Sequence, residues 1–244
     1  MYRIDVTITA CCRDDILYST LHSFCHNFLG WADARCVINI DPLGYSTPDQ
    51  VLDVCNEFFN DVVYRVAEQP NFARAFKWCW DHAEADYVFH LEDDWLMLRD
   101  VDINVIFNLL EKYENLALLR LPAFVSGETQ MKNWNKFFPY NGEFYECPAE
   151  MRTGLGFCGH PSLIKMRFVD RVRCHLRSDY NPEKIFHARG GEIHNEILRW
   201  RYGVYGKPGW RPVIRDIGRR WMIENNYRKS GSKAFFLKWE KVDA

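Results

Sequence analysis

Short apolar runs alternate with amphipathic segments through about the first ninety residues of the chain. Four runs rich in apolar and β-branched residues predict buried strands at 4–10, 35–41, 62–66 and 87–91. Between them, apolar residues recur at helical spacing after Asp14 or Asp15, from 47 to about 59 and from 71 to 85. This alternation predicts right-handed crossovers and a mostly parallel sheet with helices on its faces.

The pattern after residue 100 is less regular. It predicts a helix at 101–113 and a short strand at 116–121. Residues 124–150 show little periodicity, so we expect a long loop or irregular hairpin there. A Gly-rich segment follows at 153–164, where closely spaced glycines predict a strand and loop. An amphipathic helix is predicted from Gly190 to a closing Gly203.

Three carboxylates, Glu92, Asp93 and Asp94, follow the fourth predicted strand directly. Adjacent acids at the end of a buried strand repel one another and lose hydration, so stability alone does not favour them. Mg²⁺ or Mn²⁺ would offset that cost, because such a cation takes one or two carboxylates together with substrate phosphate oxygens. The carboxyl end of a parallel strand is also where ligands bind. The alternative is a strand followed by a solvated acidic turn.

Composition narrows the class of protein. With 244 residues, 48% hydrophobic and 26% charged, the chain suits a soluble globular protein of one large or two small domains. The net charge of -2 makes no general case for nucleic-acid binding. No apolar stretch approaches the roughly 18 residues needed to span a bilayer. The nine cysteines are scattered without CxxC spacing, which favours reduced thiols, and we expect a soluble, cytoplasmic protein.

Two nucleotide-binding motifs are missing where they would be needed. No GxGxxG follows the first strand and no GxxxxGK[ST] occurs, which argues against a dinucleotide-binding Rossmann domain and a P-loop NTPase. Gly154, Gly156 and Gly159 do spell GxGxxG, but no βαβ unit surrounds them and Pro161 interrupts the helix that should follow.

The order of elements and their motifs resemble the GT-A fold of nucleotide-sugar-dependent glycosyltransferases, particularly the family 2-like group. Residues 91–95, Leu-Glu-Asp-Asp-Trp, are similar to the EDD form of that fold's DxD motif. The opening strand with its loop, the second strand and the third helix resemble the family at 7–13, 38–41 and 71–75. The resemblance covers about residues 3–100 well and the rest more loosely. It implies one GT-A-like domain at 1–244, with a nucleotide-sugar-binding half at 1–100 and an acceptor-binding half at 101–244.

The resemblance also implies ligands and the residues that hold them. The expected ligands are a nucleotide-diphospho-sugar donor, a saccharide or glycoconjugate acceptor, and Mn²⁺ or Mg²⁺. Asp94 is the expected direct metal ligand, and Asp216 stands where many GT-A enzymes carry a metal-binding His. The implied donor-binding residues are Ala10, Cys11, Arg13, Asp41, Asn71, Arg74, Glu92, Asp93, Gly154, Gly156, Arg219 and Arg220.

Several of these assignments have structural alternatives. Gly154 and Gly156 would equally serve a β-bulge. Arg219 and Arg220 open a basic C-terminal segment that includes Lys229 and Lys233. This segment either folds over the diphosphate as a lid or forms a solvated basic face. In the long loop, Trp134 and Tyr140 either stack on a sugar or base or hold the loop in place.

Glu192 is the implied general base, because it resembles the family's acid at a helix start. One carboxylate must take the acceptor hydroxyl proton as that oxygen attacks the anomeric carbon. The family usually shows Glu-Asp, whereas Ile193 follows Glu192, so Glu196 and Asp179 remain alternatives. An acid in a helix's first turn is also stabilised by the helix dipole without any catalytic role.

The resemblance thus implies a metal-dependent, inverting glycosyltransferase of the hexosyltransferase type. A nucleotidyltransferase on a related sheet is the alternative enzyme class. Such enzymes usually need a Gly-rich, basic loop after the first strand, and residues 10–13, Ala-Cys-Cys-Arg, lack the glycines. The non-enzymatic alternative is a carbohydrate- or nucleotide-binding module.

Overall fold

Strands and helices alternate through the first half of the computed structural model, which describes residues 2–30, 33–124, 138–187, 189–230 and 238–241. The elements are β1 (Arg3–Cys12), α1 (Asp14–Phe24), β2 (Asp33–Gly44), α2 (Pro48–Phe58), β3 (Val62–Val66), α3 (Phe72–Asp81) and β4 (Tyr87–Glu92). A π-helical turn, Cys25–Leu29, extends α1. The four strands and three helices predicted for this half are therefore confirmed.

The second half contains shorter elements. They are β5 (Trp95–Met97), α4 (Ile103–Lys112), β6 (Leu116–Arg120), β7 (Ala123–Phe124), β8 (Tyr145–Glu146), β9 (Ser162–Lys165), α5 (Met166–Val172), α6 (Pro182–Ile185), α7 (Gly191–Arg199), β10 (Arg201–Val204), β11 (Ile214–Asp216), α8 (Gly218–Glu224), β12 (Tyr227–Ser230) and β13 (Lys238–Lys241). Two 3-10 turns, Ala149–Met151 and Arg173–His175, and a π-helical turn, Arg152–Gly156, connect some of them.

The central sheet has eight strands in the order β3-β2-β1-β4-β9-β6-β10-β8. The strands β1 to β4 are mutually parallel, as are β6 and β10, while β9 and β8 run antiparallel to their neighbours. Both predicted halves contribute strands to this one sheet. A smaller sheet in the order β5-β11-β7 lies beyond the end of β4, and β12 and β13 form a hairpin.

Buried side chains form two clusters that sandwich the central sheet. One cluster includes Leu21 of α1 and Ile106 of α4, and the other includes Trp80 of α3 and Phe168 of α5. Helices thus cover both faces, as expected for a largely parallel sheet whose strands are apolar on both sides. In the described part of the chain, no helix has the length and apolar character needed to cross a bilayer.

Two predictions for the second half are wrong. The amphipathic helix ends at Arg199, and Gly203 lies in strand β10 rather than closing a helix. A Cβ on Gly203 would lie 2.6 Å from Phe144 and 2.8 Å from Leu119, so tight packing inside the sheet accounts for this glycine. In the Gly-rich segment, Gly154 and Gly156 lie in a π-helical turn, and the strand comprises only Ser162–Lys165.

Candidate functional site

The carboxyl ends of β1, β2 and β4 bring the first predicted donor-binding residues together. Cys11 pairs in register with Asp41 of β2. Its backbone N–H also donates a 2.8 Å hydrogen bond to Asp93 Oδ2. The preceding Ala10 is a buried residue of β1. Residues 92–94, here called the acid segment, are thus joined directly to the loop that follows β1.

Asp41 positions the start of α3. Its Oδ2 accepts a 2.9 Å hydrogen bond from the Asn71 N–H, and its Oδ1 accepts one of 2.9 Å from Asn39 Nδ2. Asn71 in turn caps α3, because its side chain accepts from the Arg74 N–H at 3.0 Å. Burial raises the pKa of Asp41, although these hydrogen bonds oppose the rise. The Arg74 side chain is exposed at the first turn of α3.

Arg13 lies buried inside the acid segment. Its Nε donates to Asp93 Oδ2 at 3.2 Å, and its Nη2 donates to Asp93 Oδ1 and, at 3.3 Å, to Asp94 Oδ2. The guanidinium carbon lies 4.8 Å from the ring centre of Trp221, which belongs to α8. Burial alone would lower the pKa of Arg13, but Asp93 and Asp94 raise it above its ordinary value. Arg13 is therefore a fixed cation within the site.

The start of α8 packs against Asp94. The Ile217 N–H donates to the Asp94 carbonyl oxygen at 2.9 Å, and Asp216 pairs in register with Trp95. Asp216 Oδ1 accepts from the Gly218 N–H at 2.8 Å. A Cβ on Gly218 would lie only 1.9 Å from Asp94 Oδ2. The chain segments that carry the two predicted metal ligands, Asp94 and Asp216, therefore lie side by side at the carboxyl end of the sheet.

The basic C-terminal segment is placed only in part. Arg219 and Arg220 follow Gly218 in the first turn of α8 with exposed side chains, and Arg220 forms a 2.7 Å ion pair with Glu224. Lys233 and the Lys229 side chain lie outside the described residues, so the lid stays a prediction.

The long loop is also placed only in part, because Trp134 lies outside the described residues. Tyr140 is described, and its hydroxyl donates to the Gly142 carbonyl oxygen at 2.7 Å. Its ring centre lies 5.4 Å from that of Tyr145. Tyr140 therefore has local packing partners within its own hairpin.

Glu183 is a candidate site residue that the sequence analysis did not single out. It lies in the short helix α6, and its Oε1 accepts a 2.7 Å hydrogen bond from the Gly159 N–H. Built on Gly159, a Cβ would lie 3.4 Å from Glu183 Oε1 and 3.5 Å from Glu92 Oε1. Two carboxylates from distant parts of the chain therefore converge on one glycine beside the acid segment.

Cys158 lies next to this glycine and is paired with a buried arginine. Arg120, at the carboxyl end of β6, donates from Nη1 to Cys158 Sγ at 2.9 Å and from Nη2 to the Leu155 carbonyl oxygen at 2.9 Å. Burial alone would raise the pKa of the Cys158 thiol, but Arg120 and His160 lower it to about 6. Cys158 is therefore largely a thiolate at neutral pH.

The predicted bases lie in three different places. Glu192 is exposed in the first turn of α7 and has no hydrogen bond or ion pair among the described residues. Glu196 forms a 2.5 Å ion pair with Arg199. It lines a groove beside Asn115, which directly precedes β6 and so lies at the amino end of that strand. Asp179 is exposed, and hydrogen bonds from Arg177 lower its pKa, which makes it a weak base.

The two glycines implied in donor binding, Gly154 and Gly156, have different surroundings. A Cβ added to Gly154 would have nothing within 4 Å, whereas a Cβ added to Gly156 would lie 3.0 Å from the Tyr202 ring. Packing against Tyr202 therefore explains Gly156 without any ligand.

The oxygen ligands at the site suit a divalent cation that arrives with a phosphate ligand. Over the described residues, no group of three or more His, Cys, Asp or Glu side chains forms a self-sufficient metal site. Asp94 and Asp216 would supply two carboxylates, and Mg²⁺ or Mn²⁺ commonly takes one or two together with substrate phosphate oxygens. These carboxylate oxygens thus fit such a cation.

Similar folds occur in solved structures of larger proteins. S. aureus TarS 1–349 in complex with UDP matches with a TM-score of 0.59 and 9% identity, over 88% of this chain and 60% of that one. Mannosyltransferase PcManGT from Pyrobaculum calidifontis, in complex with GDP-Man and Mn²⁺, matches with a TM-score of 0.54 and 11% identity, over 88% and 57%. This chain therefore spans less than two thirds of either protein.

The comparisons establish the fold class. No protein-family model matches the sequence, and no curated protein sequence matches it. At identities near one residue in ten, the structural likeness shows the fold alone. Together with the eight-stranded, mostly parallel sheet and its flanking helices, it shows that the chain has a GT-A-type fold.

Proposed function

We propose that the protein is a metal-dependent glycosyltransferase that moves a sugar from a nucleoside-diphosphate donor to a hydroxyl acceptor with inversion. One observation carries the proposal. At the carboxyl end of the sheet, Arg13 binds Asp93 and Asp94, and the start of α8 packs against Asp94. Ligands bind at this edge in α/β folds. Structures with the same fold hold UDP, UDP-GlcNAc and GDP-Man, which supports this donor class.

Each end of the donor has candidate contacts in the site. Asp41, which is buried beside Asn71, suits the base or ribose. Asp94 would hold Mn²⁺ or Mg²⁺, with Asp216 on the adjacent chain segment. The bound cation would neutralise charge on the departing diphosphate. The exposed Arg219 and Arg220 side chains leave the first turn of α8 and suit the same phosphates.

Glu183 fits the role of general base better than Glu192 does. Glu183 is half-buried, is oriented by the Gly159 N–H and lies, like Glu92, close to Gly159. A base must reach the acceptor hydroxyl with a defined orientation, and one fixed carboxylate oxygen provides it. Glu192 and the paired acids Glu196 and Asp179 lack such a connection to the acid segment.

Donor turnover tests the proposal. Purified protein is incubated with a panel of nucleotide sugars, saccharide acceptors and Mn²⁺, and release of nucleoside diphosphate is measured. Wild type should turn over at least one donor, and Asp94→Asn should lose that activity. Asp81→Asn, an exposed acid of α3 paired with Lys77, is the control and should retain it. Donor binding without turnover across the panel would indicate a binding module instead.

A second pair of variants tests the base. Glu183→Gln should lower kcat by about a hundredfold or more while donor affinity changes little, because general-base catalysis contributes roughly 10²–10⁴-fold. Glu192→Gln should leave kcat within a few fold of wild type. The opposite result would assign the base to Glu192.

A further inference from the structure

A strongly basic segment, residues 165–177, begins at the end of the central sheet opposite the acid segment. Lys165 pairs in register with Tyr87, the first residue of β4, whereas the acid segment lies at the other end of that strand. The basic segment carries one acid, Asp170, against five cationic residues, Lys165, Arg167, Arg171, Arg173 and Arg177. Because the whole chain has a net charge of -2, positive charge is concentrated here.

Two helices bring arginines of this region to one groove. Arg167 and Arg171 lie one turn apart on α5, and Arg199 is the last residue of α7. All three are exposed and line an open groove of about 530 Å³, here called the basic groove. Trp200 also lines it, and the guanidinium carbon of Arg167 lies 5.4 Å from the Trp200 ring centre. This stacking restricts where the Arg167 guanidinium can lie.

Cations outnumber acids in the basic groove, whose two acidic residues are Glu114 and Glu196. Glu196 pairs with Arg199 at 2.5 Å. Glu114 is 92% exposed and contacts Arg167 only at 3.5 Å, so this pair contributes little. Arg171 forms no ion pair with any residue that the structure describes. Three guanidinium groups thus face two carboxylates, and one of the three is uncompensated.

A buried lysine next to the groove adds to this positive charge. Lys165 is 4% exposed, and its Nζ donates to the carbonyl oxygens of Tyr113 and Glu114 at 2.9 and 3.2 Å. Burial and the nearby Arg167 lower the pKa of Lys165 to about 8, so the side chain is mostly charged at neutral pH. The basic groove therefore has a net positive charge that an anionic ligand would balance.

We propose that the basic groove binds an acidic saccharide chain, as the part of the acceptor that lies away from the reacting hydroxyl. Guanidinium groups bind carboxylate, sulfate and phosphate groups through paired hydrogen bonds, and the half-buried Trp200 offers an aromatic surface to sugar rings. That this chain is the acceptor rests on the proposed function.

The position of the groove sets the length of such an acceptor. Asn115 of the groove directly precedes β6, and Arg120 ends that strand beside Cys158. Five residues of strand separate the two ends by about 17 Å. An acceptor that occupies both the basic groove and the carboxyl end of the sheet is therefore a chain of several sugar units.

Fluorescence anisotropy of labelled dextran sulfate oligosaccharides tests this binding without donor or metal. Wild type should bind the dextran sulfate at least about tenfold more tightly than uncharged dextran of the same length, and added salt should weaken the binding. Arg171→Gln/Arg199→Gln should weaken binding of the dextran sulfate by about tenfold or more, because it removes two of the three guanidinium groups.

The matched control is Arg3→Gln/Arg99→Gln, which removes the same number of charges from exposed positions outside the groove. Arg99 also stacks on a tryptophan, with its guanidinium carbon 5.3 Å from the Trp210 ring centre. The control should bind the dextran sulfate as wild type does. Melting temperatures of both double variants show that each is folded.

Four results would overturn the inference: no binding of the dextran sulfate, equal binding of uncharged dextran, equal affinity of the groove variant and wild type, or an equal loss in the control. Tighter binding of a single-stranded oligonucleotide of the same charge would assign the groove to nucleic acid and so also contradict it. Groove-dependent binding in a protein that turns over no donor would instead overturn the proposed function alone.

Discussion

Burial distinguishes Asp93 from Asp94 in the EDD segment. Asp93 is buried, and its side chain is bound to Arg13 and the Cys11 N–H, so it anchors the loop after β1. The Asp94 side chain is 18% exposed, which leaves it accessible to a ligand. Removing one partner of a buried ion pair costs about 3–5 kcal/mol. Asp93 therefore has a structural role, and Asp94 is the acid that we propose for ligand binding.

Cys158 gives a pH-dependent prediction. Because Arg120 and His160 lower its pKa to about 6, the thiolate forms as the pH rises through that value. Alkylation of Cys158 by iodoacetamide should increase with a midpoint near pH 6. Burial raises the pKa of Cys25 to about 12, so Cys25 should stay unmodified over the same range.

Peptide mass spectrometry after brief alkylation at pH 5 to 9 measures both cysteines in one sample. Arg120→Met should move the Cys158 midpoint upward, since it removes the facing cation. A midpoint near the ordinary thiol value of 9.0 in wild type would contradict the thiolate assignment.

Among the elements, α8 connects the C-terminal part of the chain to the acid segment. Its first residue, Gly218, allows the helix start to approach Asp94. We expect Gly218→Ala to displace the Asp94 carboxylate, because the new Cβ would lie 1.9 Å from Oδ2. Mn²⁺-dependent donor turnover should fall at least tenfold, corresponding to about 1.4 kcal/mol of transition-state stabilisation.

The control for this substitution is Gly190→Ala, since a Cβ there has open space and its backbone is extended. Turnover and melting temperature are measured for both variants. Unchanged turnover in Gly218→Ala would show that Asp94 tolerates displacement and so is not the metal ligand.

The sequence predicted the elements well where periodicity is strong. The strands and helices before residue 93 repeat one βα unit, and their apolar patterns are continuous. In the second half, β10 is only four residues long and begins two residues after the end of α7. Its apolar residues continue the helical spacing of α7, and the predicted helix therefore ran on into β10. Its pairing with β6 and β8, which forms only in the folded sheet, identifies it as a strand.

At the scale of the whole molecule, the sequence grouped the proposed donor-binding residues but did not point to the proposed base. Asp41, Asn71 and the EDD segment follow predicted strands, so the topology alone brings them together. Glu183 was not singled out because only the tertiary fold brings it and Glu92 to the same glycine, Gly159. Asn181 and Pro182 before it do carry the signal of a helix start, with an N-cap and Pro at the first position.

The central claim is that the site binds a nucleotide sugar together with a divalent cation. A thermal-shift panel of nucleotide sugars with Mn²⁺ tests it most directly, because a ligand that binds the folded state must stabilise it. At a hundred times its Kd, the matching donor should add about 2.7 kcal/mol, which raises Tm by about 5–10 °C in a chain of this size. Asp94→Asn should lose most of this shift. Absence of stabilisation by every nucleotide sugar would contradict the account.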